Sequence, residues 1–392
     1  MKTLLTNAVL YTERSVYNPG SVLFEGNQIL ASGFSHLIET PADCQVVDLE
    51  GRALLPGLID VHIHGIHGND FNHHGVDGAP EHFLKHGITG FLVTPSYTVS
   101  RQELLDEVSY IGNFIEKGQT KGARALGIHM EGPWIEPERS PFSLNEYCYP
   151  LTLSDIQDFY EASKSHLRMI TFAPEMEPAL EVIPWLVAHN IIPSIGHTNA
   201  DYETTQRAIA LGASKTTHTF NAMIPLHHRK PGTLGAVLDS KEVVCEMISD
   251  GFHLHPPIMR MLVEMKGVER VCIVSDAVVI SGFPPGTTYE MDGFKIMTDG
   301  RTSRKVPGGE PAGAAMLLNQ SLQVLVEEVG FPMQDAVYMA SAVPAKMLDL
   351  PKGRLYPGFD ADIVVLNENY KPELTYIGGN LEYSSGILLP EI

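Results

Sequence analysis

Eight short apolar runs, all but one closing on a polar residue, set the rhythm of the middle of this 392-residue sequence. They are Leu58–His62, Gly90–Thr94, Ala125–Glu131, Met169–Ala173, Ile191–His197, Lys215–Thr219, Val243–Asp250 and Val271–Asp276. Amphipathic stretches lie between them, at Arg101–Lys117, Ser154–His166, Leu180–Asn190, Asp201–Leu211 and Pro256–Lys266, and two more follow the last run at Gly313–Val329 and Met333–Asp349. Alternation of strand and helix over roughly 250–300 residues predicts a (β/α)8 barrel. A doubly wound open sheet would want a glycine-rich turn after its first strand, and GxGxxG is absent there.

The two ends read differently. Leu4–Tyr11, Ser21–Phe24 and Gln28–Ala31 are short β segments bounded by the turns Asn18-Pro19-Gly20 and Glu25-Gly26-Asn27. The pattern returns at Asp362–Leu366 and Tyr376–Gly379. Strands from both termini can pair and so cover each other's edges. The expected organisation is a small β-sandwich domain from residues 1–54 and 353–392, wrapped around a barrel at 55–352.

Composition narrows the function. The 27 Lys and Arg against 47 Asp and Glu give a net charge of −20, which repels nucleic acid and anionic lipid. No apolar run approaches the roughly 20 residues needed to span a bilayer, and the first residues lack a signal-peptide pattern. Four scattered cysteines without a CxxC fit a reduced, cytoplasmic protein. Histidine is abundant, at 17 positions, and several close the apolar runs.

In a barrel, strand C-termini converge on one mouth. His62 and His64 are two apart on one strand and so project to the same side, a spacing that can hold a divalent metal. Glu131 ends a buried strand, where a carboxylate is costly without a cation nearby. With His197 and His218 it makes a two-histidine, one-carboxylate set suited to catalytic zinc. Asp276 closes the last run and is placed to take a proton from an attacking water and return it to a leaving group, or else to cap a helix. His129 reads as a satisfied core histidine.

These motifs resemble the amidohydrolase superfamily, and within it the N-acetylglucosamine-6-phosphate deacetylase family. The likeness runs through PGLIDVHIHG, GIHMEGPW, IGHT, HTFNAM, RKPG, ISDGFH, VSDA and PGFDADIVVLN. It implies metal-dependent removal of acetyl from an amino-sugar phosphate, with Glu131, His197 and His218 as the main ligands and Asp276 as acid and base. Because His62 and His64 are both present, one or two ions are implied, with Glu131 bridging. The metal is expected to be Zn²⁺, although the ligands also suit Fe²⁺, Mn²⁺ and Co²⁺. Strand four ends in Ala173-Pro174-Glu175 without a lysine, unlike the carbamylated-lysine branch. By the same resemblance, Asn221 and Ala222 form a substrate-binding turn and His253 contacts and polarises the substrate amide. Pro311, Ala312 and Gly313 lie in a loop closing over the sugar. Arg229 is expected to bind phosphate in the active site of a neighbouring subunit of a homodimer, and His227, His228 and Lys230 beside it form the clearest local positive cluster.

Two departures stand out. After Trp134 the chain reads Ile135-Glu136-Pro137-Glu138-Arg139-Ser140-Pro141-Phe142, without the histidine usual there. The closing loop carries Glu310-Pro311, and Ala314 replaces a common serine. The alternatives left open are another substrate (N-acetylgalactosamine-6-phosphate, an unphosphorylated N-acetyl sugar or an N-acyl amino acid) and a non-catalytic sugar sensor. His67, His73 and His74 either line the mouth or sit on the surface. Arg301, Arg304 and Lys305 form a lid or an exposed turn, and Trp134 and Phe142 either stack on a sugar or pack.

Overall fold

A computed structural model describes residues 2–140, 147–291 and 293–389. Eight parallel strands lie side by side in chain order: Leu58–Ile63, Ile88–Val93, Arg124–Glu131, Leu167–Phe172, Ile192–Ile195, Lys215–Thr216, Val244–Ile248 and Val271–Val274. A parallel bridge between Ile63 and Ala277, with the Asp276 N–H donating to the His62 carbonyl at 2.9 Å, joins the last strand to the first. The result is the (β/α)8 barrel expected from the alternation. All six residues of the first strand are buried, as befits a strand covered on both faces.

The helices start where local chemistry dictates. Ser100 caps Arg101–Lys117 in a capping box with Glu103, and Asp201 caps Tyr202–Leu211 by accepting from the Thr204 N–H at 2.8 Å.

Both chain ends contribute to one eight-stranded sheet. Its seam is the antiparallel pairing of Ala53–Pro56 with Ile363–Leu366, with Leu55 opposite Val364. Leu5, Leu10, Phe24, Ile29, Leu54, Ile363, Val365 and Leu374 form its separate core.

The expected helix over Gly313–Val329 is corrected. Pro311–Ala314 is the last strand of a four-stranded antiparallel meander with Thr288–Met291, Phe294–Thr298 and Thr302–Lys305, and the α-helix begins only at Leu318. Gly313 has φ +75°, and a Cβ there would stand 2.4 Å from Val278 Cγ1, so the Val278 side chain packs directly on the glycine backbone. The segment expected to be a closing loop is therefore partly sheet.

Candidate metal-dependent active site

The barrel mouth gathers the polar residues that close the strands. His62 and His64 leave the first strand on one side, Glu131 ends the third, and His197, His218 and Asp276 follow the fifth, sixth and eighth. The last three have positive φ (47°, 27° and 51°), a region costly for residues with a Cβ, by about 1–3 kcal/mol each. Gly196 lets strands five and six approach, since a Cβ there would lie 2.7 Å from that of Thr217.

Glu131 sits at the centre. Its Oε1 lies 3.1 Å from His197 Nε2 and 3.0 Å from His218 Nε2, and those two nitrogens are 2.9 Å apart. Its Oε2 lies 3.3 Å from His64 Nε2. The second group is built by His62 Nε2 and His64 Nε2, 3.2 Å apart, with Asp276 Oδ1 at 3.5 and 3.2 Å respectively. One carboxylate thus spans two candidate ligand sets, Glu131–His197–His218 and His62–His64–Asp276.

Tautomers decide what these groups can hold. His197 Nδ1 donates to the Arg139 carbonyl and His64 Nδ1 to the Thr94 carbonyl, each at 2.9 Å. A carbonyl only accepts, so each neutral ring carries its proton on Nδ1 and aims the Nε2 lone pair at the carboxylates. Lone pairs facing lone pairs at 3 Å are repulsive unless positive charge lies between them. Electrostatics agrees: burial disfavours charge on His64, yet Asp276 and Glu131 beside it raise its pKa to about 9. Burial likewise opposes ionisation of Glu131, but His62, His197 and His218 hold its carboxyl well below the usual range. The donor set fits a divalent metal ion.

A cavity of about 370 Å³ opens above these residues, lined among others by Asn221, Ala222, His253, Asp276, Pro311 and Gly313. His253 Nδ1 donates to Asp250 at 2.6 Å, which turns the opposite ring nitrogen outward. Burial pulls its pKa down, but Asp250 outweighs this and raises it. Asn221 Nδ2 donates to the His218 carbonyl at 3.2 Å, tying its turn to the end of the sixth strand. Ala312 is not brought to the cavity. It points to the opposite face of its strand and packs with Val278, Val279 and Ile280. Arg229 also lies outside the cavity, on an exposed loop where its guanidinium meets His228 at 2.7 Å.

The remaining sequence candidates also find places. Trp134 is fully buried and donates to Asp155 at 2.5 Å, so it packs, whereas Phe142 lies outside the described residues. His129 has both nitrogens hydrogen-bonded, to the Val61 carbonyl and to Thr171 Oγ1. His67 packs against His82 and Phe283, and His74 pairs with Glu107 at 2.8 Å. Arg301 pairs with Glu328, and the Arg304 guanidinium lies over the Phe252 ring.

Sequence reasoning missed Asp70, Asn72, Ser96 and Thr98 on the cavity wall and the buried pair Lys215–Glu246 beneath it. A charged residue inside Val-Val-Cys-Glu-Met-Ile was a signal for the second, since an unpaired buried carboxylate is costly.

Comparison with known proteins agrees with this geometry. Residues 53–382 match the amidohydrolase family. The N-acetylglucosamine-6-phosphate deacetylase of Bacillus subtilis is 30% identical, over 97% of each chain. The N-acetylgalactosamine-6-phosphate deacetylase of Escherichia coli O157:H7 is 31% identical, over 90% of this chain and 93% of that one. The crystal structure of the Pasteurella multocida N-acetylglucosamine-6-phosphate deacetylase superposes with a TM-score of 0.88 at 29% identity, covering 97% of this chain and 99% of that one. The chain belongs to the amidohydrolase family and stands, within it, among the N-acetylglucosamine-6-phosphate deacetylases.

Proposed function

We propose that the chain removes the acetyl group from an N-acetylated amino-sugar phosphate, converting N-acetylglucosamine-6-phosphate to glucosamine-6-phosphate and acetate. The observation that carries this reading is the Glu131 carboxylate, with one oxygen on His197 and His218 and the other on His64, at the floor of the cavity. Glu131, His197 and His218 would hold one divalent ion, and His62, His64 and Asp276 would offer a second position. Zn²⁺ suits this nitrogen and oxygen set, as do Fe²⁺, Mn²⁺ and Co²⁺. When bound, a divalent ion would supply the positive charge that makes water a nucleophile near neutral pH and polarises the amide carbonyl.

The chain's own groups do the rest. Asp276 faces the cavity and takes a proton from the attacking water as its oxygen bonds to the acetyl carbon. His253, whose protonated ring Asp250 favours, donates from its outward-facing Nε2 to the oxygen on which negative charge develops. Asp276 then gives its proton to the amine nitrogen as the C–N bond breaks, leaving acetate and the free amino sugar.

Among the described residues, no lysine or arginine lines the cavity, whose charged members away from the ligand sets are His253, Asp70 and Glu310. A phosphate dianion needs positive charge from elsewhere. Arg229, exposed and outside its own cavity, suits a homodimer in which it reaches the site of the second copy. Asn221, Ala222, Pro311 and Gly313 hold the sugar, with Ala312 setting the strand that presents the last two. We also read the chain as a cytoplasmic protein, its four cysteines lying far apart in the sequence with no CxxC, with domain limits at 54/55 and 352/353. Among the described residues no helix is long and apolar enough to cross a membrane.

The Escherichia coli relative supports a second reading, N-acetylgalactosamine-6-phosphate, which differs in one hydroxyl configuration. Comparing kcat/KM for acetate release from the two sugars tests the assignment. A tenfold or greater preference for the glucosamine derivative supports the first reading, and the reverse preference replaces it with the second.

A further inference from the structure

Beneath the ligand histidines lies a fully buried ion pair that the mechanism does not use. Lys215 opens the sixth barrel strand and Glu246 sits in the seventh, and the pairing of Thr216 with Cys245 sets the two side chains together inside the barrel. Lys215 is 1% exposed and Glu246 0%. The Lys215 ammonium meets Glu246 Oε1 and also the Met169 sulfur, at 2.9 Å. The other oxygen, Oε2, accepts from His62 Nδ1 at 2.9 Å and from the backbone N–H of His218 at 2.7 Å.

A buried ion pair is a poor way to stabilise a core. Replacing both partners by neutral groups of similar volume is often neutral or stabilising, whereas removing one is harmful. What this pair does hold is the ring of His62. The carboxylate accepts a hydrogen bond from Nδ1–H, which leaves Nε2 free to face His64 and Asp276. It also braces the backbone from which His218 projects. One side chain thus underlies a ligand of each set.

We propose that Glu246 and Lys215 are positioning residues for the metal centre: Glu246 fixes the orientation and tautomer of His62, and Lys215 anchors Glu246 by ion pairing. The inference rests on the divalent ion of the functional reading above. It concerns ion binding and not the substrate. Partners behind metal-ligating histidines typically matter by 10–100-fold in metal affinity.

The test is titration of metal-stripped full-length protein with Zn²⁺ and Co²⁺, reading stoichiometry, dissociation constants and the Co²⁺ visible spectrum. His62→Ala provides the reference for loss of the second position. In Lys215→Met/Glu246→Leu the ion on His62 should bind about 10–100-fold more weakly. In Lys215→Met/Glu246→Gln an amide oxygen can still accept from His62, and much of that affinity should return. Unfolding temperatures in chelator, close to wild type for both, would separate positioning from simple support of the fold. Should neither double variant fold, Lys215→Met alone, which removes the anchor of Glu246, is titrated in the same way: it should weaken the ion on His62, and wild-type affinity there overturns the proposal. Wild-type affinity in the leucine variant overturns the proposal, as does equal loss in the leucine and glutamine variants. If wild type and His62→Ala bind ions identically, this inference falls while the Glu131, His197 and His218 reading stands. Absence of deacetylase activity with intact ion binding would do the opposite.

Discussion

The floor of the mouth and its rim are built on different principles. On the floor, the candidate ligands come from the ends of barrel strands, and three of the histidines are held from behind: His64 by the Thr94 carbonyl, His197 by the Arg139 carbonyl, His62 by Glu246. The rim is made of turns and a meander strand, with Glu310 and Pro311 exposed and Arg229 on a solvent-facing loop. Each is suited to one task. Bond-breaking chemistry needs atoms fixed to a fraction of an ångström, whereas substrate choice can change by exchanging loops on an unchanged barrel. The departures from the family pattern after Trp134 follow this division. That segment lacks the usual histidine, yet its Arg139 carbonyl still fixes His197.

The sharpest way to break the contrast is to alter the floor. Glu131→Ala removes the one carboxylate shared by both ligand sets, so acetate release should fall to background and tightly bound metal should disappear on elemental analysis. Asp276→Asn keeps the shape of the mouth but not the proton acceptor, and kcat should fall by about 10²–10⁴-fold. His253→Ala loses a donor to the developing charge at a cost of about 10²–10³ in kcat, with metal content unchanged. At the rim the effect should move to KM. Arg229→Ala should raise KM for the phosphorylated sugar by about 10–100-fold, the worth of a charged hydrogen bond of about 1.5–3 kcal/mol, while kcat stays within about twofold. An equal effect of Arg229→Ala on kcat would dissolve the distinction between the two regions.

The smallest effect lies far from both and sharpens the comparison by acting on stability alone. His86 donates from Nδ1 to Asn319 at 3.0 Å, and burial depresses its pKa to about 4. Above pH 6.5 the ring is neutral in folded and unfolded chains alike. As pH falls from 6.5 towards 4, the unfolded chain takes up a proton that the native state refuses. Stability should then drop by about 1.4 kcal/mol per unit, about 3 kcal/mol in all. Denaturant titrations of metal-stripped wild type and His86→Gln across that range should differ in slope, with acetate release at neutral pH the same.

The barrel was legible because its strands are continuous apolar runs that end on polar residues, and the ligands because strand ends must converge. The Lys215–Glu246 pair was not, since it depends on which residue of strand six lies beside which of strand seven. The meander was not legible either. Phe294–Thr298 alternates only in part on a half-exposed sheet, and Thr302–Lys305 is polar throughout, so neither carries a clear apolar strand pattern. Ala312 shows the limit of carrying a site over by motif: its neighbours Pro311 and Gly313 face the cavity, and strand alternation turns it away.

The most direct measurement of the central claim is acetate and glucosamine-6-phosphate release from N-acetylglucosamine-6-phosphate by exhaustively chelated protein, before and after one divalent ion per subunit is restored, with Glu131→Gln alongside. The account predicts no turnover after chelation, recovery in wild type and none in the variant. Undiminished turnover in metal-stripped wild type, or full recovery in Glu131→Gln, would contradict it.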